Sequence, residues 1–259
     1  QPAETSLADA GQAMRILYSS TDGLDGKTPV AVSGSLFLPK GEAPADGFPL
    51  IAWAHGTVGV ADVCAPSNNA RSERDTKYLG HWLSQGYAVV ASDYQGLGTP
   101  GGHPYLATRP AAYSVLDSIR AVQADPNLKL SKSVVLVGQS QGGGAAFATA
   151  GEAVTYAPEL DIRGTVATGT PYFTNDTAPV VRDPNAVSGV FAYSLYIMYL
   201  AEQADPAFKI ADYVTDKARP VIDITRTQCL MAAWNQIEKD GLNQSNAFVK
   251  DPTPALAKY

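Results

Sequence analysis

The stretch SVVLVGQSQGGGAAFATA, residues 133–150, decides the fold of this chain. Ser133 to Val137 is a short, apolar, β-branched run, which predicts a buried strand. The small, alanine-rich run from Gly142 to Ala150 predicts a helix with room for close packing. Between them lies Gly-x-Ser-x-Gly, centred on Ser140, which is the pattern of a sharp strand-to-helix turn that exposes a serine.

This turn carries two features that nucleophilic catalysis needs. It lifts Ser140 Oγ clear of the sheet, and the glycines at 138 and 142 relieve crowding at the kink. The first N–H groups of the helix, beginning with Gln141, point towards negative charge that develops beside that oxygen. We therefore take Ser140 as a candidate nucleophile, with a serine in an ordinary strand–helix turn as the alternative.

A second loop has the composition of an oxyanion-binding loop. Phe48 to Ala54 is a continuous apolar run, typical of a strand buried on both faces, and His55-Gly56-Thr57-Val58-Gly59 follows it. A glycine just past a strand lets the backbone approach a ligand and direct an N–H at it. We expect Thr57 N–H to be the second oxyanion donor, with Gly56 as the alternative. For His55, holding this loop by hydrogen bonds is favoured over acting as a base.

The rest of the first 170 residues predicts an α/β fold. Two runs of alternating polar and apolar residues, 13–20 and 28–38, predict an antiparallel hairpin at the sheet edge. Strands and helices alternate after it, which predicts a mostly parallel, doubly wound sheet. The further strands are expected at 48–54, 87–92, 133–137 and 162–167, and the helices at 69–85, 110–124 and from 142 onward.

A glycine-rich loop follows the strand expected at 87–92 and is predicted to wall the active site. Three side chains of this loop, together with one from the oxyanion loop, are the candidate substrate-pocket residues. Packing within their own loops is the alternative role for them. The four are His55, Tyr94, His103 and Tyr105.

The sequence changes character after Gly169. Residues 1–170 are expected to form the hydrolase-like core, and residues 171–259 a mainly helical cap with helices at 187–202, 207–219 and 225–239. A continuation of the sheet, with a strand at 220–224, is the alternative. The run at 187–202 is apolar on more than one face, so it either binds acyl chains of a substrate or is buried between core and cap.

Composition and charge exclude several functional classes. The 259 residues are 45% hydrophobic and carry a net charge of −6 without a dense Lys/Arg cluster, so nucleic-acid binding is not expected. No cofactor or metal site is predicted, and no run is long enough for a transmembrane helix. The chain opens with Gln1, which favours a processed protein that is secreted or periplasmic. Cys64 and Cys229 fit one long-range disulfide, with two buried thiols as the alternative.

Several motifs together resemble the secretory lipases of the lipase A type, which are α/β-hydrolases with a helical lid. The resemblance covers roughly residues 10–175 and implies a secreted esterase or lipase that forms an acyl-enzyme on Ser140, with Gln141 N–H in the oxyanion hole. It implies carboxylic esters as substrates, with acyl chains or lipid among the ligands. The motifs are HGT at 55–57, CAPS at 64–67, DYQGLGTPGGHPY at 93–105, GQSQGG at 138–143 and YAPELDIRG at 156–164.

The chain departs from that family pattern in its histidines. The triad of this fold runs serine, acid, histidine along the chain, yet His55, His81 and His103 all precede Ser140. Without a base the serine stays a protonated, weak nucleophile. We therefore expect the acid and histidine on a second polypeptide from the same precursor, packed beside the strand at 162–167. The alternatives are a base within the chain, for which His103 is the rival, a non-catalytic binding protein, and a serine acyltransferase or peptidase.

Overall fold

The computed structural model describes residues 7–171 and 183–256. Contacts between residues divide the chain into two units. Among the described residues, the first unit comprises 7–57, 65–101 and 106–171. The second unit comprises 58–64, 102–105 and 183–256, so it combines two short early segments with the part that the sequence predicts as the cap.

A six-stranded sheet forms the centre of the first unit. Its strands are β1 (Ala10–Thr21), β2 (Pro29–Pro39), β3 (Phe48–Ala54), β4 (Ala88–Ser92), β5 (Leu130–Gln139) and β6 (Asp161–Thr168). They lie in the order β1-β2-β4-β3-β5-β6. β1 pairs antiparallel with β2, and β2 with β4, whereas β4, β3, β5 and β6 run parallel. The predicted edge hairpin and mostly parallel sheet are confirmed.

Helices cover both faces of this sheet, as the doubly wound prediction requires. One face packs against α1 (Glu73–Ser84), and the other packs against α2 (Thr108–Gln123) and α3 (Gln141–Tyr156). Successive residues of β3 face opposite layers, since Leu50 belongs to the α2/α3 layer and Ile51 to the α1 layer. This two-sided burial explains why β3 is apolar at nearly every position.

The start of α1 corrects the sequence prediction. The helix begins at Glu73 rather than at residue 69, because 66–68 form a separate 3₁₀ turn. Ser72 caps α1, and its side-chain oxygen accepts a hydrogen bond from Asp75 N–H at 3.2 Å. A serine cap of this kind fixes where a helix begins.

The register of the parallel strands brings their carboxyl ends together. Ala54, the last residue of β3, pairs with Ser92 at the end of β4 and with Gly138 near the end of β5. Gln139 pairs with Thr168 at the end of β6. The loops after β3, β4 and β5 therefore leave the sheet at the same edge, where ligands bind in open α/β sheets.

The second unit is helical in its described residues. Among these residues, β pairing is limited to one isolated bridge between Val214 and Phe248. The alternative of a strand at 220–224 is wrong, because those residues lie inside α5. The helices are α4 (Phe191–Ala204), α5 (Arg219–Thr227), α6 (Leu230–Asp240), α7 (Gln244–Ala247) and α8 (Thr253–Leu256).

Two helix predictions for this unit need correction. The helix expected at 207–219 is absent, and only a 3₁₀ turn forms at Ile210–Asp212. Tyr213 instead accepts a backbone hydrogen bond from Val249 N–H at 2.8 Å, next to the isolated bridge. The helix expected at 225–239 is broken between α5 and α6, because Gln228 and Cys229 both have extended backbone.

Helix α4 is enclosed within the second unit. All of residues 191–203 are buried or half-buried, and the side chains of Tyr196 and Met198 are completely buried. The helix packs against α5, α6 and α8. Packing alone therefore accounts for its apolar character on several faces. In the described part of the chain, no helix is long and apolar enough to cross a membrane.

Cys64 and Cys229 form the predicted disulfide, with their Cα atoms 5.3 Å apart. Both cysteines lie in the second unit, where the bridge joins segment 58–64 to the start of α6. Leu230 N–H also donates to Val58 O at 2.8 Å. Gly59 packs directly on the bridge, since a Cβ atom there would lie 2.9 Å from Cys64 Sγ. The segment after Thr57 is thus held to α6 by one covalent bond and one hydrogen bond.

Candidate active site

Ser140 stands between β5 and α3 in a strained backbone conformation. Its φ is 58° and its ψ is −123°, which is unusual for a residue with a side chain. Ser140 N–H donates to Thr168 O of the neighbouring strand at 2.8 Å. Ser140 O accepts from Gly144 N–H at 3.2 Å in the first turn of α3. These two bonds hold the sharp turn that the sequence pattern predicts.

The two glycines of the motif are required by close backbone contacts. A Cβ atom on Gly138 would lie 1.9 Å from Gly142 O. A Cβ atom on Gly142 would lie 1.9 Å from Ala54 O and 2.7 Å from His55 O. Helix α3 therefore starts in direct contact with the ends of β3 and β5. A side chain at Gly142 would push α3 away from β3, and a side chain at Gly138 would push α3 away from β5.

The loop after β3 passes beside the serine. A Cβ atom on Gly56 would lie 3.6 Å from Ser140 Cβ and 3.2 Å from Gln139 O. Gln141 is the first residue of α3 and is buried, so its N–H belongs to the helix end that carries partial positive charge. The structure thus brings together the two backbone segments, around Gln141 and around Gly56 and Thr57, that the sequence nominates as oxyanion donors.

His55 is buried inside this loop and faces backbone oxygens on both sides. Its Nδ1 lies 2.7 Å from Gly56 O and its Nε2 lies 3.3 Å from Asp93 O. Burial lowers the pKa of His55, so the ring is neutral at pH 7 and carries one N–H. The single N–H donates to one of these two oxygens, and the ring packs against the other. These contacts support a role in holding the loop.

Tyr94 supports His55 from the other side. The two rings stack with centroids 4.3 Å apart, and Tyr94 OH donates to His55 O at 2.9 Å. Tyr94 is itself 1% exposed and belongs to the α2/α3 core layer. Of its two candidate roles, these contacts favour packing over lining a substrate pocket.

The two remaining candidate pocket residues, His103 and Tyr105, lie in the second unit. Both are buried there. His103 O accepts from Gln203 Nε2 at 3.1 Å, and the Tyr105 ring contacts the Tyr196 ring with centroids 5.4 Å apart. Both residues therefore contact helix α4 within that unit.

Asp93 is a residue of this site that the sequence analysis did not nominate. It follows β4 directly, and its carboxylate is completely buried. Oδ2 accepts from Ser33 Oγ at 2.7 Å and from Ser67 Oγ, and Oδ1 accepts from Ser67 N–H at 2.8 Å. The available signal was an acidic residue at the carboxyl end of a buried parallel strand.

Potential metal ligands and bases are few. The described residues contain no cluster of three or more His, Cys, Asp or Glu side chains that could hold a metal ion. The chain has three histidines. His81 is exposed on α1 beside Trp82, and within the first unit His55 lies in the loop beside Ser140.

Comparison with known proteins places this chain in a family. The profile of the secretory lipase family matches residues 63–251. The chain belongs to the secretory lipase family. The resemblance inferred from the motifs is therefore confirmed.

Three curated relatives illustrate this membership. Lipase A of Moesziomyces aphidis is 35% identical over 125 residues, 44% of this chain and 26% of the relative. A protein of Mycobacterium tuberculosis named as a probable inactive lipase is 34% identical over 168 residues, 60% of this chain and 36% of the relative. A secreted triacylglycerol lipase of Malassezia furfur is 26% identical over 211 residues, 73% of this chain and 53% of the relative. The secretory lipase chain thus spans from about a quarter to about half of these relatives.

Solved structures show that this secretory lipase chain has the α/β-hydrolase fold. The cell wall degrading esterase LipA of Xanthomonas oryzae superimposes with a TM-score of 0.74 at 23% identity, covering 95% of this chain and 67% of that one. Candida antarctica lipase A in its closed state gives a TM-score of 0.72 at 23% identity, covering 100% of this chain and 60% of that one. At such identities the likeness establishes the fold alone.

Proposed function

We propose that this chain carries the nucleophile and the oxyanion site of a secreted serine carboxylic-ester hydrolase. The observation that carries the proposal is the strained turn at Ser140, held between β5 and α3 beside Gly56. A backbone in this conformation costs about 1–3 kcal/mol, and such strain clusters at functional sites. The family membership and the glycines packed around the turn support the same reading.

The proposed reaction begins with attack of Ser140 Oγ on the ester carbonyl carbon, while its proton passes to a histidine. The carbonyl oxygen becomes an oxyanion that accepts hydrogen bonds from Gln141 N–H and Thr57 N–H. Collapse of this intermediate breaks the bond to the alkoxy oxygen, which leaves as an alcohol with the proton from the histidine. Water then attacks the acyl-enzyme by the reverse sequence and releases the carboxylic acid.

We place the histidine and its acid on a second polypeptide of the same precursor. His55 faces two backbone oxygens, His81 is exposed on α1, and His103 makes its described contacts in the second unit. Within the first unit, the His55 ring is occupied by the loop that it holds and His81 points to solvent, so neither is placed as the base. A base from outside these 259 residues would complete the nucleophile turn at Ser140.

The edge of the sheet offers a place for that polypeptide. In the part of the chain that the structure describes, β6 pairs with β5 on one side and with no strand on the other, and Val166 on β6 is 45% exposed. A strand at a sheet edge invites pairing with another strand. A groove of about 370 Å³ lies between α3 and β6 on one face, lined by Ala150, Ala153, Val154, Leu160 and Ile162.

A second cavity, of about 170 Å³, lies on the opposite face of the sheet beside the turn at Ser140. Trp53, Tyr78 and Val166 line it, together with Gln139, the residue before Ser140. Among the described residues, Trp53 Nε1 is buried without a hydrogen-bond acceptor. A strand added to β6 with a helix on each face would fill both spaces and bring its loops next to Ser140.

The family membership supports a proposal for the class of substrate and for the cellular location. Some curated relatives are named secreted triacylglycerol lipases, so we propose esters with acyl chains as substrates and an extracellular location. The disulfide fits that location, because such bonds persist in oxidising compartments. A groove for the acyl chain along α4 stays a proposal. A serine acyltransferase or peptidase would use the same machinery with another acceptor.

A non-catalytic binding protein is the second candidate function. One relative, which is named as a probable inactive lipase, favours it. This candidate leaves the strained serine turn without a use, since a relic nucleophile has no need of a conformation that costs stability.

Labelling with a fluorophosphonate probe separates the two candidates. Protein expressed from the complete precursor gene should gain one adduct, on the peptide that contains Ser140, and the Ser140→Ala variant should gain none. Intact mass of the same material tests the second polypeptide. A single species with the mass of these 259 residues and rapid labelling would remove the two-polypeptide proposal, and a wild-type protein that never reacts would support the non-catalytic candidate.

A further inference from the structure

Asp93 has a buried carboxylate that the proposed reaction does not use. Burying an ion costs several kcal/mol unless other groups compensate for the lost water. Here the compensation comes from three hydrogen bonds, from Ser33 Oγ on β2 and from the hydroxyl and backbone N–H of Ser67. One carboxylate thereby joins β2, the CAPS segment at 64–67 and the loop after β4.

The charged and titratable groups around Asp93 are few. Arg71 is the nearby cation; burial lowers the pKa of Arg71 and the charge of Asp93 counteracts that shift. Arg71 also lies over the Phe37 ring at 5.2 Å from its centroid. His55 and Tyr18 are the other titratable groups near Asp93. His55 Nε2 lies 3.3 Å from the main-chain oxygen of Asp93, and burial together with the charge of Asp93 raises the pKa of Tyr18.

A short chain of contacts leads from Asp93 to the nucleophile. Asp93 O lies 3.3 Å from His55 Nε2, and His55 Nδ1 lies 2.7 Å from Gly56 O. Gly56 in turn passes beside Ser140, with 3.6 Å between a Cβ atom built on Gly56 and Ser140 Cβ. Each link contacts the next directly, and all of these residues belong to the first unit.

We propose that Asp93 is a positioning residue for ester hydrolysis. Asp93 fixes its own loop and the CAPS segment to β2, and its loop in turn holds His55. Through His55, Asp93 sets where the backbone of Gly56 and Thr57 lies relative to Ser140. Donors in an oxyanion site must be held close to their working geometry, so loosening this hold slows the reaction. The inference rests on the proposed function of Ser140, because it concerns the donors for that reaction.

Asp117 provides a matched control for a purely structural role. It is also a buried carboxylate with three donors, Ser20 Oγ at 2.7 Å, Tyr156 OH at 2.7 Å and Arg120 Nη1 at 2.9 Å. Its partners lie on β1, α2 and α3 rather than in the loops beside Ser140. Loss of Asp117 removes a similar set of bonds without touching the contact chain from Asp93.

The kinetic test compares Asp93→Ala with Asp117→Ala in protein from the complete precursor gene, at a temperature where both are folded. For Asp93→Ala we expect kcat for an activated ester to fall about 100-fold with KM little changed, the pattern of lost transition-state stabilisation. The kcat of Asp117→Ala should stay within a few-fold of the wild-type value.

Asp93→Asn is the rescue variant. Its amide can keep the three hydrogen bonds if the serine hydroxyls turn, so this variant should recover most of the activity. Equal losses in the two alanine variants, or no loss in Asp93→Ala, would overturn the proposal.

Hydrogen exchange supplies a readout that does not need catalysis. In Asp93→Ala, amides of residues 55–59 should exchange at least about tenfold faster than in wild type, whereas Asp117→Ala should leave them unchanged. Should Asp93→Ala fail to fold, Ser67→Ala removes the Ser67 hydroxyl bond and carries the same test with a smaller effect. Unchanged exchange at 55–59 would overturn the role of Asp93, whereas faster exchange in a protein that never hydrolyses esters would instead contradict the proposed function.

Discussion

Gly142 passes so close to Ala54 that a Cβ atom on Gly142 would lie 1.9 Å from the backbone oxygen of Ala54. This contact sets the distance between the first turn of α3 and the end of β3. Both partners are backbone, so no side-chain rotation can relieve a clash. We expect Gly142→Ala to destabilise the protein by about 3 kcal/mol or more. Urea unfolding at equilibrium measures the change.

Gly151, later in the same helix, provides the control for this substitution. A Cβ atom on Gly151 would have no heavy atom within 4 Å. Gly151→Ala should therefore raise stability by about 0.5–1 kcal/mol through helix propensity alone. Similar effects of Gly142→Ala and Gly151→Ala would show that the close packing of α3 on β3 is wrong.

The strain at Ser140 predicts different effects of two substitutions on stability. Ser140→Ala keeps a Cβ atom at φ 58°, so the free energy of unfolding should change little while fluorophosphonate labelling is lost. Ser140→Gly also loses the nucleophile, but it relieves the strained conformation and should stabilise the fold by about 1 kcal/mol. Thermal melting of the two variants tests the difference, and a glycine variant less stable than the alanine variant would argue against strain.

Reduction of the disulfide should weaken the second unit. The bridge closes a loop of 165 residues, which corresponds to about 5 kcal/mol in the chain-entropy estimate. The paired variant Cys64→Ser with Cys229→Ser should unfold at a lower temperature than wild type, and reductant should lower the melting temperature of wild type alone. Thiol titration of the denatured, unreduced protein should find no free thiol. Two free thiols would contradict the bridge.

The buried, neutral ring of His55 should make the stability of the fold depend on pH. Burial lowers its folded-state pKa, so below the unfolded-state value of about 6.5 the unfolded chain binds a proton that the folded protein resists. The contribution of this histidine to stability is therefore complete above that pH and is lost as pH falls through the folded-state pKa. We expect His55→Gln to flatten the decline in unfolding free energy from pH 7 to pH 5. A wild-type slope in His55→Gln would argue against burial of a neutral ring.

The features that the sequence predicts well depend on neighbours along the chain. β3 matches its predicted bounds, because an apolar run of this length can be satisfied only between two covered faces. The turn at Ser140 is equally local, since its glycines act within a few residues of the serine. The preference for His55 as a loop-holding residue also depends on a neighbour, the glycine that directly follows it.

The features that the sequence misses depend on contacts between distant residues. The expected helix at 207–219 is replaced by pairing of Val214 with Phe248, 34 positions later in the numbering. The partners of Asp93, Ser33 and Ser67, lie 60 and 26 residues away. No pattern of neighbouring residues in the sequence indicates partners at such distances. The hydrogen bonds of Asp93 can therefore be identified only from the folded structure.

The central claim is that Ser140 is a nucleophile whose base lies outside these 259 residues. Its most direct test is the rate of fluorophosphonate labelling at Ser140, compared between this chain alone and the product of the complete precursor gene. We predict rapid, stoichiometric labelling of the precursor product and labelling at least about 1,000-fold slower for the chain alone, because loss of the histidine disables the serine. Equal rates for the two proteins would contradict the account, since the base would then have to lie within this chain.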